Sequence, residues 1–269
     1  EGLRIYERCP YTMKICEVQA SPVTTYSETH CCRCWLECID ETKITVSGEE
    51  AALEDSMAGS HFYPDFAAVL LKQKVAEQYG LKAENVLTGA GSSAMIDMIG
   101  LTFLDEGDEV LFSAPTYGAF ADMAYLNGGV PVSVSVTEEQ KFNLPAMKEK
   151  IGEKTKIVVI CNPNNPTGAL YPKEVLQQIV DLAREHQLII FSDEIYDRLV
   201  MDGLEHVSIA SLAPDLFCVT FSGLSKSHMI AGFRIGWMIL SGNKAIAKDY
   251  IEGLKMLSNM RLCSNVPAQ

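Results

Sequence analysis

The sequence predicts an α/β fold built on a mostly parallel sheet. Short apolar runs, such as Lys156-Ile-Val-Val-Ile-Cys161 and Leu188-Ile-Ile-Phe191, alternate with segments of helical spacing. The runs are nearly continuous in apolar residues, as strands covered on both faces are. Most end in a polar or glycine-rich turn, and in open parallel sheets ligands sit at the carboxyl ends of the strands.

The elements follow in order. Phe66 to Tyr79 carries Phe66, Val69, Leu70, Val75 and Ala76 at roughly helical spacing. Asn85-Val-Leu-Thr88 is a short strand, followed by Gly89-Ala-Gly-Ser-Ser93 and a helix from Ala94 to Phe103. Glu109 to Ser113 is the next strand and stops at Pro115. A helix from Phe120 to Leu126 leads past Gly128-Gly129 into a strand from Val130 to Val136. Lys156 to Cys161 ends in the turn-rich Asn162-Pro-Asn-Asn-Pro-Thr-Gly168. Pro172 opens a helix with a stripe at Val175, Leu176, Ile179, Val180, Leu182 and Ala183. Strands at Leu188–Phe191, Leu216–Phe221 and Ile235–Leu240 come next, and an amphipathic helix spans Lys244 to Leu257. This alternation means βαβ units with right-handed crossovers.

Composition narrows the partners. The 269 residues are 48% hydrophobic and 21% charged, ample for a core. A net charge of -13 argues against nucleic acid or an anionic membrane surface. No apolar run approaches the roughly 18 residues of a membrane span. The start at Glu1 shows no signal-peptide pattern, and the ending at Gln269 reads as a fragment. Residues 1–60 have no clear period and form an unassigned, cysteine-rich segment; residues 61–269 form the regular domain. Six of the nine cysteines fall within the first 38 residues: Cys9, Cys16, Cys31, Cys32, Cys34 and Cys38. Cys31 and Cys34 make one C-x-x-C without a second downstream, so no metal is expected. Cys161, Cys218 and Cys263 look like reduced core thiols, and a reducing cytoplasm is the expected compartment.

The chemistry gathers at strand ends. Lys226, in Ser222-Gly-Leu-Ser-Lys-Ser-His228, follows a buried strand and is a candidate Schiff-base nucleophile if burial desolvates its amine. A plain loop lysine is the competing reading. Gly89-Ala-Gly-Ser-Ser93 is either a simple helix start or an anion cradle, with hydroxyls from Ser92 and Ser93. Arg234 favours the cradle, since a guanidinium binds a phosphate bidentately. Asp193 is expected partly buried and in need of a cationic partner, and a protonated pyridine nitrogen serves. Tyr196 and Asn165 are within expected reach of a ring oxygen, and Tyr117 either stacks on the ring or belongs to the core.

With Asn165-Pro-Thr-Gly168, Ser192-Asp-Glu-Ile-Tyr196 and Ser225-Lys226 followed by Arg234, residues 61–269 resemble the large domain of the fold-type I, pyridoxal-phosphate-dependent aminotransferases of class I/II. The resemblance implies a three-layer sandwich and pyridoxal 5'-phosphate as cofactor. It makes Lys226 the lysine that carries the cofactor as a Schiff base. Asp193 pairs with the pyridine nitrogen, Asn165 and Tyr196 with the ring oxygen, and Tyr117 stacks on the ring. Ser92, Ser93, Ser225 and Arg234 hold the phosphate. Tyr63 in Phe62-Tyr-Pro-Asp65 resembles the tyrosine that reaches the partner subunit's cofactor, which implies a homodimer.

The implied activity moves an amino group between an amino acid and a 2-oxo acid. Residues 61–160 look like histidinol-phosphate members and residues 161–269 like alanine-type members, so the substrate stays open. Residues 1–60 do not reproduce the family's N-terminal segment. The family's small C-terminal domain, with its carboxylate-binding arginine, has no counterpart before Gln269. Two alternatives stand beside transamination: a C–S lyase on the same cofactor frame, and an incomplete cofactor-binding fragment without full activity.

Overall fold

The computed structural model describes residues 23–27, 30–33, 56–58, 61, 65–137, 142–260 and 264–265. The chain divides into two units, Glu1–Gly59 and Ser60–Gln269. In the first, β1 (Val23–Ser27) pairs antiparallel with β2 (His30–Arg33). Tyr63, Cys263 and the cysteines of the first unit other than Cys31 and Cys32 lie outside the described residues.

The second unit is built on a seven-stranded sheet. Its strands are β3 (Val86–Gly89), β4 (Glu109–Ala114), β5 (Val130–Ser135), β6 (Thr155–Cys161), β7 (Ile189–Asp193), β8 (Phe217–Gly223) and β9 (Gly236–Gly242). Their order is β3-β9-β8-β7-β6-β4-β5. The run from β5 to β8 is parallel, while β9 is antiparallel to both β8 and β3. Six strands therefore point one way and β9 alone points back. Period-two patterns carry no direction, so the reversal was not expected from the sequence.

Helices cover both faces: α1 (Val69–Tyr79), α2 (Ser92–Phe103), α3 (Ala119–Leu126), α4 (Leu144–Lys150), α5 (Lys173–Glu185), the one-turn α6 (Leu224–Ser227) and α7 (Lys248–Met260). Alternate strand residues sort onto the two faces. Phe112, Val159, Phe191 and Val219 pack with Met95, Ile99, Phe120 and Leu254 of α2, α3 and α7. Leu111, Val158, Ile190 and Cys218 pack with Met147 of α4 and Leu176, Ile179, Val180 and Ala183 of α5. Burying Leu176, Ile179 and Val180 stabilises by roughly 1.5–3 kcal/mol each.

Two local findings differ from the sequence reading. Residues 137–155 were assigned no element there, yet α4 forms. The Asn143 side chain accepts from Ala146 N at 3.3 Å and caps its start. A seven-residue helix is too short to show a period. The first turns of α1 are also less buried than their spacing suggests. Asp65 accepts from Val69 N at 2.8 Å and starts the helix, but Leu70 is 74% exposed and only Val75 and Ala76 are buried. Among the described residues no helix is long and apolar enough to cross a membrane.

Candidate active site

The forward strands deliver their carboxyl ends to one edge of the sheet. The start of the reversed β9 joins them, because Gly236 is paired with Gly89 of β3 and with Gly223 of β8. Arg234, two residues before β9, is thus brought beside the start of α2.

Glycine makes that approach possible. Gly91 holds φ +83, and an added Cβ would stand 2.5 Å from Arg234 Nη2. At Gly236 an added Cβ would run into Ser92 N. The start of α2 has no side-chain cap, so its first N–H groups are open to an anion. Arg234 itself has φ +49, and its Nη1 donates to Ala231 O at 2.8 Å.

Two further strand ends carry ring-sized groups. Past β4, Tyr117 is half-buried and packs against the core cluster of that face. Past β6, the loop is held by its own asparagines. Asn162 Oδ1 accepts from Tyr171 N at 2.8 Å. Asn164 Oδ1 accepts from Thr167 Oγ1 at 2.8 Å, and Asn164 Nδ2 donates to Thr116 Oγ1 at 3.3 Å. Asn165 N donates to Cys161 Sγ at 3.4 Å. Burial, with Asp193 nearby, pushes the Cys161 thiol up to about 12.

Asp193 is the last residue of β7 and only 3% exposed. Its Oδ1 accepts from Ile195 N at 3.2 Å. Burial pushes its carboxyl up to about 6, while the Ile195 hydrogen bond and the Lys226 charge pull it down. Lys226 differs from expectation. It stands on α6, past the end of β8, and is exposed, so the strand does not desolvate it. Its Nζ lies 5.9 Å from the centroid of the Tyr196 ring.

One open cleft joins these groups. Ser92, Ser93, Tyr117, Asn165, Asp193, Tyr196, Ser225, Lys226 and Arg234 all line it. Of the site residues expected from sequence, Tyr63 alone is not placed, because it lies outside the described residues. The sequence reading missed Ile195 and Ala231, which also line the cleft. Ile195 lies in the turn that follows β7, two residues after Asp193, where no period marks it. Ala231 lies in the same excursion as Lys226 and Arg234.

These residues suit a phosphorylated aromatic aldehyde with a basic ring nitrogen. A buried carboxylate with a single hydrogen bond calls for a cation. Open helix N–H groups, two serine hydroxyls and a guanidinium pressed against a glycine call for a phosphate. The Lys226 amine lines the same cleft.

A family model described as aminotransferase class I and II matches residues 26–268. Glutamate-pyruvate aminotransferase AlaA of Escherichia coli is 50% identical over 188 residues, covering 69% of this chain and 46% of that protein. Alanine aminotransferase of Mycobacterium tuberculosis is 47% identical over 188 residues, covering 69% and 44%. The crystal structure of an aminotransferase from Escherichia coli superposes with a TM-score of 0.75 at 41% identity, over 84% of this chain and 58% of that one. The chain spans about half the length of the curated relatives it matches.

Proposed function

The chain belongs to the class I and II aminotransferase family and has the fold of a fold-type I large domain, and from that premise we propose that it is a pyridoxal-phosphate-dependent transaminase of the alanine–glutamate type. The observation that carries the proposal is the single cleft lined by Lys226, Asp193, Asn165, Tyr196 and Arg234. The names of the relatives favour the alanine-type reading over the histidinol-phosphate one.

In this reading Arg234, Ser92, Ser93, Ser225 and the first N–H groups of α2 hold the phosphate. Tyr117 would cover the ring, and Asn165 and Tyr196 would hold its oxygen. Asp193 would hold the ring nitrogen in its protonated form. The bound cofactor supplies the electron sink that lets a substrate C–H bond ionise. Lys226 Nζ, on a one-turn helix at the cleft mouth, takes the proton from the substrate carbon and returns it as general base and acid. The amino donor and the 2-oxo acid acceptor enter by the same open side. A homodimer, with Tyr63 reaching the partner's site, and a cytoplasmic location belong to the same proposal. Two buried, unpaired thiols, Cys161 and Cys218, support a reducing compartment.

The test is an absorbance titration of the purified chain with pyridoxal 5'-phosphate, followed by L-alanine. A visible band that Lys226→Ala removes, and stoichiometric pyruvate released in a half-reaction, are expected. Normal turnover in Lys226→Ala would refute the lysine's role. Cofactor binding without any half-reaction would mark the chain as a cofactor-holding piece. Pyruvate and thiol released from cystathionine without an oxo-acid acceptor would mark a lyase.

A further inference from the structure

Behind the cleft lies a second carboxylate that the proposed chemistry does not use. Glu194 follows Asp193 directly, so its side chain leaves the strand end on the opposite side. It is almost fully buried. Its Oε1 accepts from Ser192 Oγ at 2.8 Å, Ser208 Oγ at 3.0 Å and Ile209 N at 3.3 Å. Its Oε2 faces His206 Nε2 at 3.6 Å, and that nitrogen is buried with no hydrogen-bond partner. The Asn162 backbone, three residues before Asn165, lies near enough to the imidazole to favour its protonated form.

We propose that Glu194 Oε2 and His206 Nε2 hold one proton between them, and that this pair is a positioning device for the site. Through Glu194 it fixes the stretch that carries Asp193 and Tyr196. Through His206 and Asn162 it fixes the loop that carries Asn165. Three donors already fill Oε1, so Oε2 is the oxygen left to meet the imidazole. An unprotonated Oε2 facing an unprotonated Nε2 would set two lone pairs against each other in a buried place.

The electrostatic setting agrees. Burial pushes Glu194 up to about 8, against its three hydrogen bonds, and the nearby Asp197 pushes it further. Burial pushes His206 down, with Asp197 and the Asn162 backbone opposing. Asp197 accepts from Tyr79 Oη at 3.0 Å on the α1 side. The Cys218 thiol, which Glu194 helps push up to about 12, stays protonated on β8. Both directions favour an uncharged pair, with the Glu194 carboxyl keeping its proton through neutral pH.

The inference uses the proposed cofactor only as a probe of position, so its test has two arms. In the first, histidine-labelled full chain without cofactor is followed by 15N NMR from pH 5 to 9, with His206→Gln assigning the resonance. The His206 ring is expected to change near pH 8 in the wild type and not in Glu194→Gln, whose amide imitates the protonated acid. A ring that titrates near pH 6.5 like a free imidazole, or a change near pH 8 that survives in Glu194→Gln, would overturn the shared proton.

In the second arm, pyridoxal 5'-phosphate affinity is measured over the same range. The wild type is expected to weaken about tenfold from pH 7 to 9 relative to Glu194→Gln. At pH 7 Glu194→Gln is expected to bind within about twofold of the wild type, and His206→Ala about tenfold more weakly. Parallel pH profiles in wild type and Glu194→Gln would overturn the positioning role. If the wild type binds no cofactor at any pH, the proposed function falls while the NMR arm still decides the proton pair.

Discussion

The Arg234 guanidinium occupies the space that a side chain on Gly91 would need: a Cβ there would stand 2.5 Å from Nη2. The glycine is therefore part of the anion cradle, because its missing side chain is where the arginine lies. Gly91→Ala is expected to displace Arg234 and lower pyridoxal 5'-phosphate affinity about tenfold. The positive φ adds a stability loss of about 1–3 kcal/mol. Gly203→Ala is the control: φ there is +71 and nothing lies within 4 Å of the added carbon. It should cost about 1–2 kcal/mol and leave affinity alone. Equal affinity losses in the two variants would argue against the cradle.

Asp193 makes stability depend on pH with a definite sign. Its folded value, about 6, lies above its ordinary 3.8. Between these values the folded state keeps a proton that the unfolded state has lost. Stability from this residue is full below about pH 4 and is lost as pH rises through about 6. Urea unfolding of the cofactor-free chain should show this decline relative to Asp193→Asn. Saturating pyridoxal 5'-phosphate should flatten it by placing a cation against the carboxylate. An identical slope in Asp193→Asn would refute the assignment.

Phe103 ties the face opposite α5 together. Its ring stacks on Tyr250 at 4.7 Å and on Phe217 at 5.8 Å, and meets Phe191 edge-on at 6.0 Å. Phe103→Ala should cost about 3–5 kcal/mol in urea unfolding. Phe103→Leu should cost much less, since it keeps most of the volume.

Cys161 and Cys218 should resist alkylation in the folded chain. Both are buried, and burial pushes each thiol up to about 12, leaving almost no thiolate at pH 8. Peptide mass spectrometry after iodoacetamide should find both unmodified without urea and modified with it. Labelling of Cys161 in the folded state would show that the loop of Asn165 opens.

Much of the site was legible because its groups follow strands that are apolar on both faces. Lys156 to Cys161 and Leu216 to Phe221 announced themselves as continuous runs, so Asn165 and Lys226 fell at strand ends. What stayed hidden has physical causes. The reversal of β9 does not alter an apolar pattern. Helix α4 is too short to repeat. The exposure of Lys226 depends on β8 ending at Gly223 and on a turn of helix that no periodicity marks. Glu194 and Asp193 look alike in sequence, and only the strand's alternation sends one to the cleft and the other to His206.

The chain leaves β8 at Gly223 and re-enters the sheet at Gly236, and these two residues are paired. Lys226 and Arg234 therefore ride on one closed excursion whose ends are clamped together. The paired ends hold both residues at one edge of the sheet, and the span between them is bounded by the eight positions of chain that join them. That span works as an internal ruler, set by the loop's own length. An extra residue between them would rescale it, whereas an extra residue after β5 would not.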